Sequence, residues 1–207
     1  MAAGGKPRRR LVSAQEAGTF VRVSRRLRRS TPLDGVVVAV GAKWALLASF
    51  VDGGYADGYV AVRVRDVVTV SRDRRVASVF ARTQPSWPPV APSGLDLDTT
   101  KAMLRTLAQH GPLIGVERER VRAGLWIGVV VGLERHWLWL HELKSDARWY
   151  KIPYAYRLGT VTTAWLGDRY LEALAATAPE PRIPTTNRTL ALVENAPWPG
   201  RVGEPRR

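Results

Sequence analysis

Hydrophobic residues in this chain fall in short runs rich in Val and aromatics, broken by Gly, Asp and Pro, and that pattern predicts strands rather than helices. Five runs occupy 19–26, 34–41, 44–51, 58–65 and 66–72, and five more occupy 113–121, 125–133, 136–143, 150–158 and 160–166. Alternation is plainest at 136–143, where Trp137, Trp139 and His141 share one face and Leu138, Leu140 and Glu142 the other. Residues 98–110 instead carry helical spacing in Met103, Leu104 and Leu107, with Asp98 as N-cap and Gly111-Pro112 as the stop. Residues 74–83 and 168–178 predict two short amphipathic helices, burying Val76, Val79 and Phe80 in the first and Tyr170, Leu171 and Leu174 in the second.

The strand runs form two sets because the chain repeats itself at a spacing of 93 to 94 residues. GVVVAVGAKWALL at 35–47 lies without a gap on GVVVGLERHWLWL at 128–140, so Gly35 meets Gly128 and Trp44 meets Trp137. After a one-residue shift Arg63 meets Arg157, Val67 meets Val161, Arg75 meets Arg169, Thr83 meets Thr177 and Pro85 meets Pro179. Five short strands per copy predict a small barrel, since closure removes sheet edges, and Gly35 and Gly128 mark where a bent strand turns the corner. The expected fold is therefore mainly β: two tandem five-stranded small barrels with short helices before and after. Residues 1–18 read as a basic arm, 19–83 as the first barrel module, 84–97 as a Pro-rich linker, 98–178 as a helix plus the second module, and 179–207 as an irregular tail.

Composition narrows the function classes. The chain has 207 residues, 45% of them hydrophobic, with no run approaching the roughly 18 apolar residues of a membrane span. The absence of Cys excludes disulfides, thiolate catalysis and Cys-ligated zinc or iron–sulfur centres. The first twenty residues lack the apolar stretch of a secretory signal, so the expected compartment is the cytoplasm.

Net charge is +14, and residues 1–34 carry nine Lys or Arg against two acids. Arg exceeds Lys by 27 to 5, a bias that a GC-rich genome produces by itself. Even so, Arg8, Arg9 and Arg10, then Arg22, Arg25, Arg26, Arg28 and Arg29, form two clusters of the kind that contacts backbone phosphates. The alternatives are a solvated arm or an acidic protein partner. In the second module, rings beside Arg148, Lys151 and Arg157 would stack on single-stranded nucleic acid if exposed, or fill the core if not. Arg148, Trp149, Tyr150 and Lys151 are the segment expected to be exposed.

The histidines at 110, 136 and 141 do not converge, because His136 and His141 point to opposite faces of one strand, and no metal site is expected. Gly35–Lys43 has no Ser or Thr after its lysine and is Val-rich strand, so it is not a phosphate loop. DGGYADG at 52–58 lacks the oxygen spacing of a calcium loop and reads as a tight turn. No catalytic residues and no cofactor are assigned. The reading is a non-enzymatic protein that binds nucleic acid, RNA rather than DNA, with weak sequence specificity, as a monomer or small homo-oligomer that contacts no membrane. The alternative is a protein-interaction scaffold docking through barrel edges.

The order of a helix and five short bent strands, with a glycine in the second, resembles the Sm-like fold, an SH3-type small barrel, here in two fused copies. The likeness covers 19–83 and 98–178 and rests on Gly35 and Gly128. It implies barrels that pair their sheet edges. The Arg-Gly pair of that family is replaced by Val64-Arg65-Asp66 and Arg157-Leu158-Gly159, and its Asp and Asn/His loop by Ala42-Lys43-Trp44 and Arg135-His136-Trp137. Uridine recognition is therefore not implied. Duplicated small barrels in GC-rich bacterial proteins are similar in look and imply no activity.

Overall fold

The alternating Val-rich runs become strands at ten places in the computed structural model, which describes residues 5–27, 30–51 and 53–181. The first half supplies β1 (Phe20–Arg25), β2 (Leu33–Val40), β3 (Trp44–Val51), β4 (Tyr55–Arg63) and β5 (Val67–Arg72). The second supplies β6 (Ile114–Arg118), β7 (Arg122–Leu133), β8 (Trp137–Glu142), β9 (Tyr154–Arg157) and β10 (Thr163–Leu166). Helices are α1 (Gly5–Glu16), α2 (Val76–Ala81), α3 (Thr100–Leu107) and α4 (Arg169–Thr177). A 3-10 turn joins β4 to β5 over Val64–Asp66, and another joins β9 to β10 over Leu158–Thr160. No helix among the described residues is long and apolar enough to cross a membrane.

All strands pair antiparallel in one sheet, in the order β5-β1-β2-β3-β4-β10-β6-β7-β8-β9. The repeat is thus legible in the topology, because each half runs last strand, first, second, third, fourth. Gly35 faces Ser49 and Gly128 faces Glu142 at the same register position. A β-carbon at Gly35 would come to 2.1 Å from the carbonyl oxygen of Ala48, and one at Gly128 to 2.1 Å from that of His141. Glycine is required at both by this close approach, and a bulge follows at Val37/Ala39 and at Val130/Gly132.

Two closed barrels are not what forms. Among the described residues the sheet is open, with β5 and β9 as its outer strands, and the strands that each half would need for its own closure, β4 and β10, pair with each other. Thr163, Ala164, Trp165 and Leu166 lie opposite Val62, Ala61, Val60 and Tyr59. One core crosses this joint: Trp44, Leu46 and Ala61 pack with Ile114, Val116, Leu138, Leu140 and Ala164 beneath Met103, Leu104 and Leu107 of α3. A second lies under α1, where Leu11 and Ala14 cover Val21, Val23, Leu47 and Val62.

Local departures from expectation have local causes. Arg8, Arg9 and Arg10 lie on helix α1 rather than on an extended arm, because Leu11, fully buried, anchors it to the sheet. Thr99 caps α3 by accepting the Ala102 N–H at 3.0 Å, and Asp98 instead accepts the Ala42 N–H at 2.6 Å. α2 buries Ser78 and Ala81 and leaves Val76 and Val79 exposed. Its backbone sits so close to Gly54 that a β-carbon there would lie 2.4 Å from the Ala77 carbonyl oxygen, and only small side chains fit such an approach. On α4 Leu171 and Leu174 are buried and Tyr170 is exposed. Residues 150–153 form no strand, and 64–66 and 158–160 are the 3-10 turns.

Gly35→Ala and Gly128→Ala are expected to cost about 2–3 kcal/mol each, the upper range for overpacking, since the opposing atom is backbone. Denaturant unfolding checks this, with Gly159→Ala, whose β-carbon would meet nothing, as the control.

Candidate anion-binding cleft

Five segments converge on a cleft of about 600 Å³: the start of α1, the β2–β3 turn, the 3-10 turn after β4, the start of α3 and the 3-10 turn after β9. Arg8, Lys43, Arg63 and Arg65 line it together with Gly5, Ala42, Val64, Thr100 and Gly159, and among the described residues no carboxylate does.

Backbone bonds fix the chain that carries Lys43, and side-chain bonds to carbonyls fix Arg8 and Arg63. The N–H groups of Lys43 and Trp44 donate to the Leu97 carbonyl at 3.3 and 3.0 Å, and the Lys43 carbonyl accepts the Val64 N–H at 3.0 Å. Arg8 Nε donates to the Gly41 carbonyl at 3.2 Å. Arg63 is buried with its guanidinium 5.0 Å from the Trp44 ring centroid; its Nε donates to the Val161 carbonyl and its Nη2 to the Leu158 carbonyl at 2.7 Å. Burial, then repulsion from Arg65 and Arg120, outweigh Asp66 and lower its pKa to about 10, so it stays charged at neutral pH. The buried Asp66 carboxylate is taken by Arg120 Nη2, and Arg65, whose side chain is 62% exposed, lies 3.8 Å from it. An anion in the cleft would offset the repulsion among these groups.

The residues expected from sequence to contact phosphate are dispersed. Arg8 alone lines the cleft; Arg9, Arg10 and Arg26 are exposed elsewhere. Arg22 forms a bidentate pair with Asp34 at 2.7 and 2.7 Å. Arg25 is buried against Glu119 at 2.7 Å, so it braces the two halves instead of meeting solvent. Arg28 and Arg29 lie outside the described residues. Arg148 is exposed and pairs with Asp146 at 3.0 Å, and Lys151 is exposed. Trp149 is half-buried, 5.0 Å from the His141 ring, with its indole N–H donated to the Pro179 carbonyl at 2.7 Å. Lys43, Arg63 and Arg65 were not picked out by charge clustering, because Lys43 is a single cation in an apolar run and Arg63 and Arg65 alternate with Val in a run that ends on Asp66. For Arg63 a signal was present in the repeat, which pairs Trp44 and Arg63 with Trp137 and Arg157; for Lys43 and Arg65 there was none.

Several other titratable groups are engaged within the fold. His136 is exposed, His141 is buried with Nε2 2.9 Å from the Tyr150 carbonyl, and His110 Nε2 lies 2.7 Å from the Ser93 carbonyl. In a smaller cleft of about 420 Å³, Glu117 accepts from Thr163 and Trp165, Asp168 caps α4 and Asp57 accepts the Arg169 N–H. Among the described residues no group of His, Asp or Glu could hold a metal ion. Glu142 is buried and accepts the Tyr156 hydroxyl; burial, outweighing that bond and the Arg118 charge, pushes its carboxyl up to about 7. Compared with protein-family models, curated proteins and solved structures, the chain matches none.

Because the folded carboxyl of Glu142 titrates near 7 and the unfolded one near 4.5, the folded state holds the extra proton between these values, and stability falls as pH rises through that window. Glu142→Gln, which keeps an acceptor for Tyr156, is expected to gain on the parent by up to about 3 kcal/mol between pH 4.5 and 8. Unfolding of both proteins at each pH checks the difference.

Proposed function

We propose that the protein binds nucleic acid without catalysing a reaction, by admitting backbone phosphates of a single strand, RNA rather than DNA, to the cleft of Arg8, Lys43, Arg63 and Arg65. The observation that carries this reading is a concave site lined by four cationic side chains and, among the described residues, by no carboxylate. Contacts of this kind attract phosphate irrespective of base, which accounts for weak sequence specificity. A single strand can present one phosphate at a time to a recess, which a rigid duplex does poorly. The reading of each half as an Sm-like unit is supported by the shared strand order and by the paired glycines. The rival reading, a protein-interaction scaffold, has the two free sheet edges in its favour.

Fluorescence anisotropy with labelled single-stranded RNA, single-stranded DNA and duplex DNA across a salt series tests this proposal. Lys43→Ala/Arg65→Ala is expected to weaken RNA binding at least about tenfold and to reduce the slope of log affinity against log salt by about 1.4, for two lost single-strand contacts. Arg9→Ala/Arg10→Ala is expected to leave most of the affinity. Loss in the second variant and not in the first would move binding to the outer face of α1. No binding at low salt by the parent would overturn the function itself.

A further inference from the structure

Several donors in the cleft are left for one phosphate group to take. Arg63, 7% exposed, uses Nε and Nη2 on the Val161 and Leu158 carbonyls, and its Nη1 donates to no described residue. Thr100, where α3 begins, lines the same space. Thr99 caps that helix by accepting the Ala102 N–H, and its carbonyl accepts the Met103 N–H at 3.0 Å, while the Thr100 and Lys101 N–H groups donate to no described residue. The Thr100 hydroxyl accepts the Trp44 indole N–H at 3.3 Å and also donates to no described residue. A buried guanidinium, a hydroxyl and the first turn of a helix are groups that one anion satisfies together. The carboxylates close by in sequence are turned elsewhere: Asp98 accepts the Ala42 N–H, and Asp66 is taken by Arg120.

The walls of the cleft separate a phosphate at the end of a strand from one within it. Among the described residues no aromatic ring lines the cleft, and the Trp44 ring is fully buried with the Arg63 guanidinium over it. A base therefore finds nothing to stack on there, and the phosphate alone is held. Positive charge is in excess: Arg8, Lys43, Arg63 and Arg65 face one recess, whereas a phosphate inside a strand brings a single negative charge. A terminal phosphate is a monoester, with nearly two charges at neutral pH and three accepting oxygens. Five segments wall the recess, so a strand threading it must enter and leave between them, while an end group enters once. At about 600 Å³ the cleft has the size of a site for one small ligand rather than for a run of nucleotides.

Resting on the reading of the cleft as a phosphate site for single-stranded RNA, we infer that its ligand is the 5′ end of the strand, held by the terminal phosphate monoester. Arg63 Nη1, the Thr100 hydroxyl and the first N–H groups of α3 receive the phosphate oxygens, and Arg8, Lys43 and Arg65 balance the second charge. The 5′ end fits a recess better than the 3′ end. A 5′ phosphate stands on a primary carbon and reaches clear of the sugar, whereas a 3′ phosphate stands on a ring carbon beside the 2′-hydroxyl. Sugar and base stay outside, so the end is recognised whatever its first nucleotide.

Internally labelled single-stranded RNAs of one short sequence test this by anisotropy with the full-length protein. They carry a 5′ phosphate, a 5′ methyl phosphate, a 5′ hydroxyl, or a 5′ hydroxyl with a 3′ phosphate. The 5′ phosphate strand is expected to bind at least about tenfold tighter than the 5′ hydroxyl strand, and the other two within about threefold of the latter. Gly159→Phe puts a ring into the cleft where a β-carbon meets nothing, and removes no charge. It should erase the preference without lowering the unfolding temperature. In Lys43→Ala/Arg65→Ala the 5′ phosphate and 5′ hydroxyl strands should bind within about twofold of each other. Equal binding of those two strands by the parent would overturn end recognition; if that binding is lost in Lys43→Ala/Arg65→Ala, the cleft remains a site for phosphates along the strand. A gain as large from the methyl phosphate or the 3′ phosphate would contradict it too. Displacement of the strand by an equal concentration of adenosine 5′-monophosphate would make a free nucleotide the ligand instead. No binding of any strand would remove the wider reading together with this one.

Discussion

The pairing of β4 with β10 is the interaction on which the rest of the structure depends. Each half of the chain is a five-stranded bent sheet that leaves strand edges unsatisfied, and this pairing joins the two into ten continuous strands. It sets the core, because Trp44 and Leu46 share one apolar cluster with Leu138 and Leu140 only when the halves are joined. It also explains a buried arginine. Arg63 leaves water because its own half supplies the Trp44 ring and the other half supplies two carbonyls, and removing such partners would leave a buried charge uncompensated.

The same joint decides which positive charges are available to a ligand. Several arginines are engaged within the fold: Arg22 and Arg75 with Asp34, Arg75 also with Asp73, Arg25 with Glu119, and Arg120 with Asp66. Where the halves meet, Arg8, Lys43, Arg63 and Arg65 line a cleft that has no lining acid among the described residues. Net charge thus says little about where an anion would sit, whereas the imbalance left after ion pairing says more.

The repeat, nearly all strand positions and the two corner glycines were legible in the sequence because each is a local pattern, alternation or an unreplaceable backbone approach. Closure was not legible, since whether β4 pairs with its own half or with β10 depends on the docking of two copies that look alike. α1 was hidden because Lys6, Arg8, Arg9 and Arg10 dominate its composition while Leu11, the anchor, is a single residue. The stripe of α2 was misassigned because the approach to Gly54, not hydrophobicity, orients that helix. For the cleft, charge clustering found Arg8 and overlooked Lys43, Arg63 and Arg65, which come together only across three turns and a helix. Arg25 shows the converse, a clustered cation that the fold buries.

Amide hydrogen exchange on the full-length protein, with and without a short single-stranded RNA, reads the β4–β10 joint and the cleft in one experiment. In the free protein, β4 and β10 amides are expected to exchange as slowly as those of β3 and β8. Added protection is expected on RNA binding at 41–44, 63–66 and 158–160. Fast exchange across β4 and β10, or RNA protection confined to 148–151 or to the outer face of α1, would contradict these assignments.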